Sequence, residues 1–167
     1  MKYFLIVGRI VGFKGVDLAI EAAKKLDFHL KIVGEYAGIY TEQEKIKKIS
    51  NENIEFLGRV PDDQLKDLYK NADAFLAPAK DEDFGMTVVE AMAAGTPVIA
   101  YKSGGYLETV TEKTGVFFDE YSVESLIKAI KSMKAIKFNK KDLQEQAEKF
   151  SKEIFVKKMR TVILEGA

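Results

Sequence analysis

The stretch 79–97, Ala-Lys-Asp-Glu-Asp-Phe-Gly-Met-Thr-Val-Val-Glu-Ala-Met-Ala-Ala-Gly-Thr-Pro, holds the residues best suited to chemistry in this chain. Glu90 stands within 86–94, where nearly every other residue is apolar, small or hydroxylic, so the helix reads as largely buried and its carboxylate needs donors. None stands three or four positions away on the same helix, where Met86, Thr87, Ala93 and Ala94 occur. Donors must then come from elsewhere in the fold or from the hydroxyls of a ligand. Glu82 lies eight residues upstream, in the loop before the helix, with Phe84 and Gly85 at the turn between them. A helix beginning near Gly85 leaves the amides of Gly85, Met86 and Thr87 free between the two carboxylates, with Glu90 roughly 7 Å along the axis at ~1.5 Å per residue. An anion on those amides, with a hydroxyl-bearing group on either side, satisfies both carboxylates. That is a sugar, a diphosphate and a ribose in a row.

A second anion site is expected in the loop Gly8-Arg9-Ile10-Val11-Gly12-Phe13-Lys14-Gly15, which follows an apolar run and opens a helical pattern. Its glycines at 8, 12 and 15 fit neither the dinucleotide fingerprint nor the P-loop, so neither NAD nor a P-loop nucleotide is supported. What remains is a helix mouth with two cations, Arg9 and Lys14, one able to grip a diphosphate in bidentate fashion and the other as a point charge. For this loop alone, a plain turn with solvated cations is the favoured reading. Asp81-Glu82-Asp83 is formally a D-x-D, the pattern by which some enzymes hold a divalent metal against substrate phosphates, but two cations and a helix mouth already neutralise a diphosphate. The single histidine, His29, starts the second apolar run, away from these loops, and there is no cysteine. Catalytic triads and soft-metal sites are therefore excluded.

The elements that must position these groups alternate regularly. Short apolar runs at 3–7, 29–33, 54–57, 74–77, 98–101 and 116–118 predict six strands, and helical spacing at 16–26, 41–49, 62–71, 85–94, 106–110 and 123–133 predicts the helices between them. Strict alternation implies βαβ crossovers and a doubly wound, Rossmann-like α/β fold: a six-stranded parallel sheet with helices on both faces. Ligands of such sheets sit at the carboxyl ends of the strands, here the loops 8–15, 34–40, 58–62, 78–85 and 102–106. From Lys140 the pattern changes to two successive amphipathic helices, 142–150 and 151–164, whose last apolar stripe packs on the sheet in a complete domain or reaches a second domain in a half-protein.

The chain has 167 residues, 47% apolar and 31% charged, with 26 basic and 26 acidic side chains. That length supports one domain with a full core and no need of disulfides or zinc. Zero net charge excludes the basic balance of a nucleic-acid binder. Residues 128–160 nevertheless hold 11 basic against 4 acidic side chains, a positive surface open to an anionic membrane or an acidic partner, or simply solvated. No apolar run approaches the ~20 residues of a membrane span, and a cytoplasmic protein is the expectation.

Taken together, these motifs resemble a known family. The spacing of Glu82 and Glu90, set in Glu-Asp-Phe-Gly-Met and Glu-Ala-Met-Ala-Ala-Gly-Thr-Pro-Val-Ile-Ala, is similar to the donor-site signature of retaining glycosyltransferases of family 4, which have the GT-B fold. Gly8-Arg9 with Lys14-Gly15 resembles the family's diphosphate-gripping loop, Phe56-Leu57-Gly58-Arg59-Val60 its base-contacting loop, and Ser103-Gly104-Gly105 with Glu108 the glycine turn after its fifth strand. Gly115-Val116-Phe117-Phe118 also matches in position, and the resemblance covers roughly residues 3–135.

The resemblance implies that Glu82 binds hydroxyls of the transferred sugar, Arg9 and Lys14 the diphosphate, Glu90 the ribose and Gly58 to Val60 the base. Gly8, Asp83, Phe84, Gly85, Met86, Thr87, Gly104 and Gly105 complete the donor site. It implies retention of configuration without metal or cofactor. Asp83, where the family often has Gly, points toward GDP-mannose over a UDP-sugar and toward O-antigen-type mannosyltransferases. It further implies that 1–167 is the second, donor-binding half of a two-domain enzyme, whose partner is an acceptor-binding N-terminal domain or separate subunit contacted by the helices at 139–165. A non-catalytic nucleotide-binding module and a sugar-nucleotide epimerase are alternatives on the same fold.

Overall fold

The computed structural model describes residues 2–37, 44, 46 and 48–165. Six strands, β1 (Phe4–Val7), β2 (Leu30–Val33), β3 (Ile54–Gly58), β4 (Ala74–Ala77), β5 (Val98–Tyr101) and β6 (Gly115–Phe118), form one all-parallel sheet in the order β3-β2-β1-β4-β5-β6. The helices are α1 (Val16–Leu26), α2 (Asp62–Asn71), α3 (Met86–Ala94), α4 (Tyr106–Thr109), α5 (Val123–Met133), α6 (Lys140–Glu148) and α7 (Lys152–Glu165). The helix expected over 41–49 falls largely outside the described residues. This is the six-stranded Rossmann-like fold that the alternation of patterns predicts.

Both faces of the sheet are covered, which is why its strands read as continuous apolar runs. Successive side chains point to opposite faces. Phe4, Ile6, Leu30, Ile32, Ala74 and Leu76 pack with Leu18, Ile20 and Ala22 of α1 and with Leu126 and Ile130 of α5. Leu5, Phe75, Ala77, Val98 and Ala100 pack with Leu68 and Tyr69 of α2, Val88 and Met92 of α3 and Leu143 of α6. Each fully buried aliphatic side chain contributes about 1.5–3 kcal/mol, and Leu5, Ile20, Leu126 and Ile130 are among them. α5 starts at Val123 because the Ser122 hydroxyl accepts the Ser125 amide. α6 starts at Lys140, two residues ahead of the expected position, because the Asn139 side chain accepts the Lys141 amide at 2.9 Å.

The strand order reverses at β1, which pairs with β2 on one side and β4 on the other. β1 and β2 stay in register over four residues, Phe4 to Val7, whereas β1 and β4 are in register only at Phe4↔Ala74 and Leu5↔Phe75. Beyond that point the two central strands part and a crevice opens between their carboxyl ends, at the topological switch point where such sheets take ligands. α7 does not pack on the sheet. None of residues 152–164 is buried, and Phe155, Met159, Val162 and Ile163 leave an apolar stripe in solvent. Among the described residues no helix is long and apolar enough to cross a membrane.

Candidate functional site

The crevice is a cavity of about 330 Å³ whose one wall is the loop after β1, with Gly8, Arg9 and Lys14, and whose other wall is the loop after β4 and the start of α3, from Glu82 to Thr87. Two contacts bind the walls together. The Lys80 amide donates to the Phe13 carbonyl at 3.2 Å, and Lys14 Nζ meets Glu82 Oε2 at 2.5 Å across the opening. The Lys14 and Glu82 side chains are 21% and 24% exposed. Arg9 is exposed at the rim. The side chains that the sequence assigns to diphosphate and sugar therefore already touch one another, although 68 residues separate them.

The mouth of α3 forms the floor. Gly85 caps this helix in the left-handed region, at φ 84°, and Val88 is the first residue whose amide bonds back, to the Gly85 carbonyl at 3.0 Å. The Met86 and Thr87 amides lie ahead of that ladder, on residues that line the cavity, and with the helix dipole they favour an anion there. Cationic side chains from one wall and a helix mouth from the other converge on one volume, which suits a multiply charged oxyanion. Among the described residues no three His, Cys, Asp or Glu side chains cluster to hold a metal ion. Asp81 and Asp83 are exposed, while Glu82 is engaged by Lys14.

Glu90 is the correction to the sequence reading, because it is exposed and not buried. It lies one helical turn beyond Thr87, outside the cavity, in a second depression between α2 and α3 with Asp62, Lys66 and Lys70. Its donor is the Tyr69 hydroxyl of α2, 2.7 Å from Glu90 Oε2. Burial, and then the Glu90 carboxylate, hold the Tyr69 phenol well above its ordinary pKa. The error came from reading an Ala- and Met-rich helix as buried on every side, whereas Met86 is 56% exposed.

Two further sets of predicted residues stand apart from the cavity. Gly58 ends β3 and Arg59 and Val60 follow it, two strands away from the crevice, with Gly58 at φ 63° and Arg59 exposed. Gly104 and Gly105 follow β5 and pack on the backbone of the Glu82 loop, where the Gly105 amide donates to the Glu82 carbonyl at 2.8 Å. The residue after them, Tyr106, lines the cavity; the sequence reading placed it in the ligand-side loop 102–106 without counting it among the site residues, and an aromatic directly after a glycine pair at a strand's carboxyl end was the available signal. Burial, and then the charge of Glu82, push its phenol up, with the Ala79 backbone acting the other way.

Comparison with known proteins shows the family and the fold. The family model for glycosyl transferases group 1 matches residues 1–153. An uncharacterized glycosyltransferase of Methanocaldococcus jannaschii is 33% identical over 153 residues, covering 90% of this chain and 43% of that protein. Mannosylfructose-phosphate synthase of Agrobacterium fabrum is 32% identical over 140 residues, covering 75% of this chain and 31% of the enzyme. The chain thus spans less than half the length of these relatives. Among solved structures, a glycosyltransferase from Rickettsia africae superposes over 100% of this chain and 49% of its own at a TM-score of 0.87 and 24% identity. Anabaena HepE in complex with UDP and glucose does so over 99% and 49%, at 0.77 and 21%. At those identities the two structures establish the shared fold.

Proposed function

The chain belongs to the group 1 glycosyl transferases, and from that premise we propose that it is the nucleotide-sugar-binding half of a retaining GT-B enzyme that transfers a hexose. The observation that carries this reading is the convergence of Arg9, Lys14, Glu82 and the mouth of α3 on one cavity at the switch point. The diphosphate lies against the Met86 and Thr87 amides, held by Arg9 and Lys14. The sugar hydroxyls donate to Glu82. The nucleoside extends along α3, its ribose at Glu90 and its base toward Gly58 to Val60. As the bond between the anomeric carbon and the diphosphate oxygen breaks, the electron pair leaves on the diphosphate, and the two cations stabilise that charge without a metal. The acceptor, bound by a further domain or subunit, supplies the hydroxyl oxygen that bonds to the anomeric carbon, and the proton of that hydroxyl goes to the departing diphosphate. The donor is GDP-mannose on the strength of Asp83, or a UDP-sugar, and the mannosylfructose-phosphate synthase relative and the UDP and glucose bound to HepE bracket the same choice.

Calorimetric titration with GDP-mannose, UDP-glucose, the corresponding nucleoside diphosphates and NAD tests this. We expect a sugar nucleotide to bind more tightly than its bare diphosphate, that advantage to vanish in Glu82→Ala, and both ligands to be lost in Arg9→Ala. Binding of NAD with no affinity for any sugar nucleotide would overturn the reading.

A further inference from the structure

We propose that Tyr106, together with the Gly104–Gly105 turn before it, is a positioning residue that fixes the Glu82 carboxylate where a sugar meets it; the proposal rests on the donor-site reading above. The segment 78–85 that carries Glu82 contains no helix or strand, so its shape must be imposed from outside. Besides the Lys80–Phe13 and Lys14–Glu82 contacts with the other wall and the Phe84–Phe150 ring contact, residues 103–106 impose it along its length. The Ser103 hydroxyl donates to the Lys80 carbonyl, and the Gly105 amide donates to the Glu82 carbonyl at 2.8 Å. Both glycines lie flat on the same backbone: a Cβ on Gly104 would stand 2.4 Å from the Glu82 carbonyl oxygen, and one on Gly105 would stand 2.5 Å from Phe84 Cα. The Tyr106 ring closes the set. It is 3% exposed and lies 2.8 Å from where Gly85 would carry a Cβ.

The chain passes from Glu82 to the α3 mouth through that one glycine, so the aromatic face under Gly85 sets the angle between the sugar-binding carboxylate and the phosphate-binding amides. Arg9 and Lys14 belong to the other wall, and Lys14 meets this loop through its pair with Glu82, a contact whose loosening frees the cation for a diphosphate. The division separates two parts of donor affinity. Loss of the ring removes the increment that the sugar adds and does not weaken the diphosphate's own binding.

Tyr106→Leu, which fills the space without a flat face, and Tyr106→Phe, which keeps the ring, are compared with the wild-type chain by hydrogen–deuterium exchange without ligand and by calorimetry with a nucleoside diphosphate and its hexose conjugate. In Tyr106→Leu, the Lys80 and Gly105 amides, which are the ones hydrogen-bonded at this loop, should exchange at least tenfold faster while those of β2 and β5 are unchanged. The affinity ratio of conjugate to bare diphosphate should fall toward one with the diphosphate's affinity not reduced, and Tyr106→Phe should restore both readouts. Unaltered exchange of the Lys80 and Gly105 amides in the Leu variant overturns the proposal. So does a parallel loss of both ligands accompanied by faster exchange throughout the sheet, which is the signature of a merely structural role. If the wild-type chain shows no sugar increment, the donor-site reading fails on its own, and the exchange readout still decides whether Tyr106 orders the loop.

Discussion

Replacing Glu82 by Gln should tighten the binding of a bare nucleoside diphosphate, a direction opposite to that usually expected when a binding residue is removed. In the ligand-free protein Glu82 holds Lys14 at 2.5 Å, with both side chains about three-quarters buried. An incoming diphosphate must draw Lys14 away and then lie beside the carboxylate it has left. Exposed ion pairs contribute about 0.2–1 kcal/mol and breaking a buried one costs about 3–5 kcal/mol, so a pair in this setting falls between, at about 1–2 kcal/mol. Gln keeps the shape of the side chain and removes the charge, so it offsets that cost, about five- to thirtyfold in affinity. The same change replaces the charged, two-oxygen acceptor of the sugar hydroxyls by one neutral amide oxygen, so the hexose conjugate should gain less than the bare diphosphate. Calorimetry with both ligands at about 0.05 M and about 0.5 M salt separates the two effects, because screening at high salt narrows the gain from charge removal. A diphosphate affinity in Glu82→Gln equal to or weaker than that of the wild-type chain refutes the reasoning.

Three further outcomes are expected. Tyr69→Phe deletes the donor to Glu90 and should lower stability by about 0.5–1.5 kcal/mol in urea unfolding, together with a weakened response to the nucleoside part of the ligand; unchanged stability and binding would count against the Tyr69–Glu90 contact. Burial, then Asp17 and Tyr101, hold the Tyr121 phenol at about 12, and Tyr69 and Tyr106 are pushed higher still. The stability from these neutral phenols is complete below the unfolded value near 10 and is lost as pH rises toward 12, so urea midpoints should fall in that window, and absorbance at 295 nm should show these three un-ionised at pH ~11 until the chain unfolds. Val162→Lys with Ile163→Lys, both on the solvent-exposed stripe of α7, should shift unfolding by no more than ~0.5 kcal/mol; a loss above about 2 kcal/mol would show that the helix packs on the sheet.

Much of the fold is legible in the sequence because its determinants are local. β4 at 74–77 and β5 at 98–101 match their apolar runs residue for residue, and α1, α2 and α5 begin and end where their periodicity does. Sheet burial on both faces makes such runs uniform, and capping residues punctuate them. Where the reading failed, the deciding interaction is distant in sequence. The exposed face of α3 is set by which flanks α2 and α6 cover, and an Ala-rich helix with little amphipathic bias does not reveal that choice. The Lys14–Glu82 pair joins positions 68 apart. The glycines at 104 and 105 were visible as a turn, but only the packed backbone shows that they face the loop carrying Glu82.

The parting of β1 and β4 after two registered pairs has a mechanical consequence. Strands β3, β2 and β1 form one leaf of the sheet and β4, β5 and β6 the other, and the hinge line between them is its most sparsely laddered junction. A guest lodged in the gap touches both leaves and supplies, through its own oxygens, cross-ties that the backbone omits. Occupancy should therefore damp the opening of the entire platform, with amides in the outer strands β3 and β6 slowing their exchange although neither strand borders the crevice.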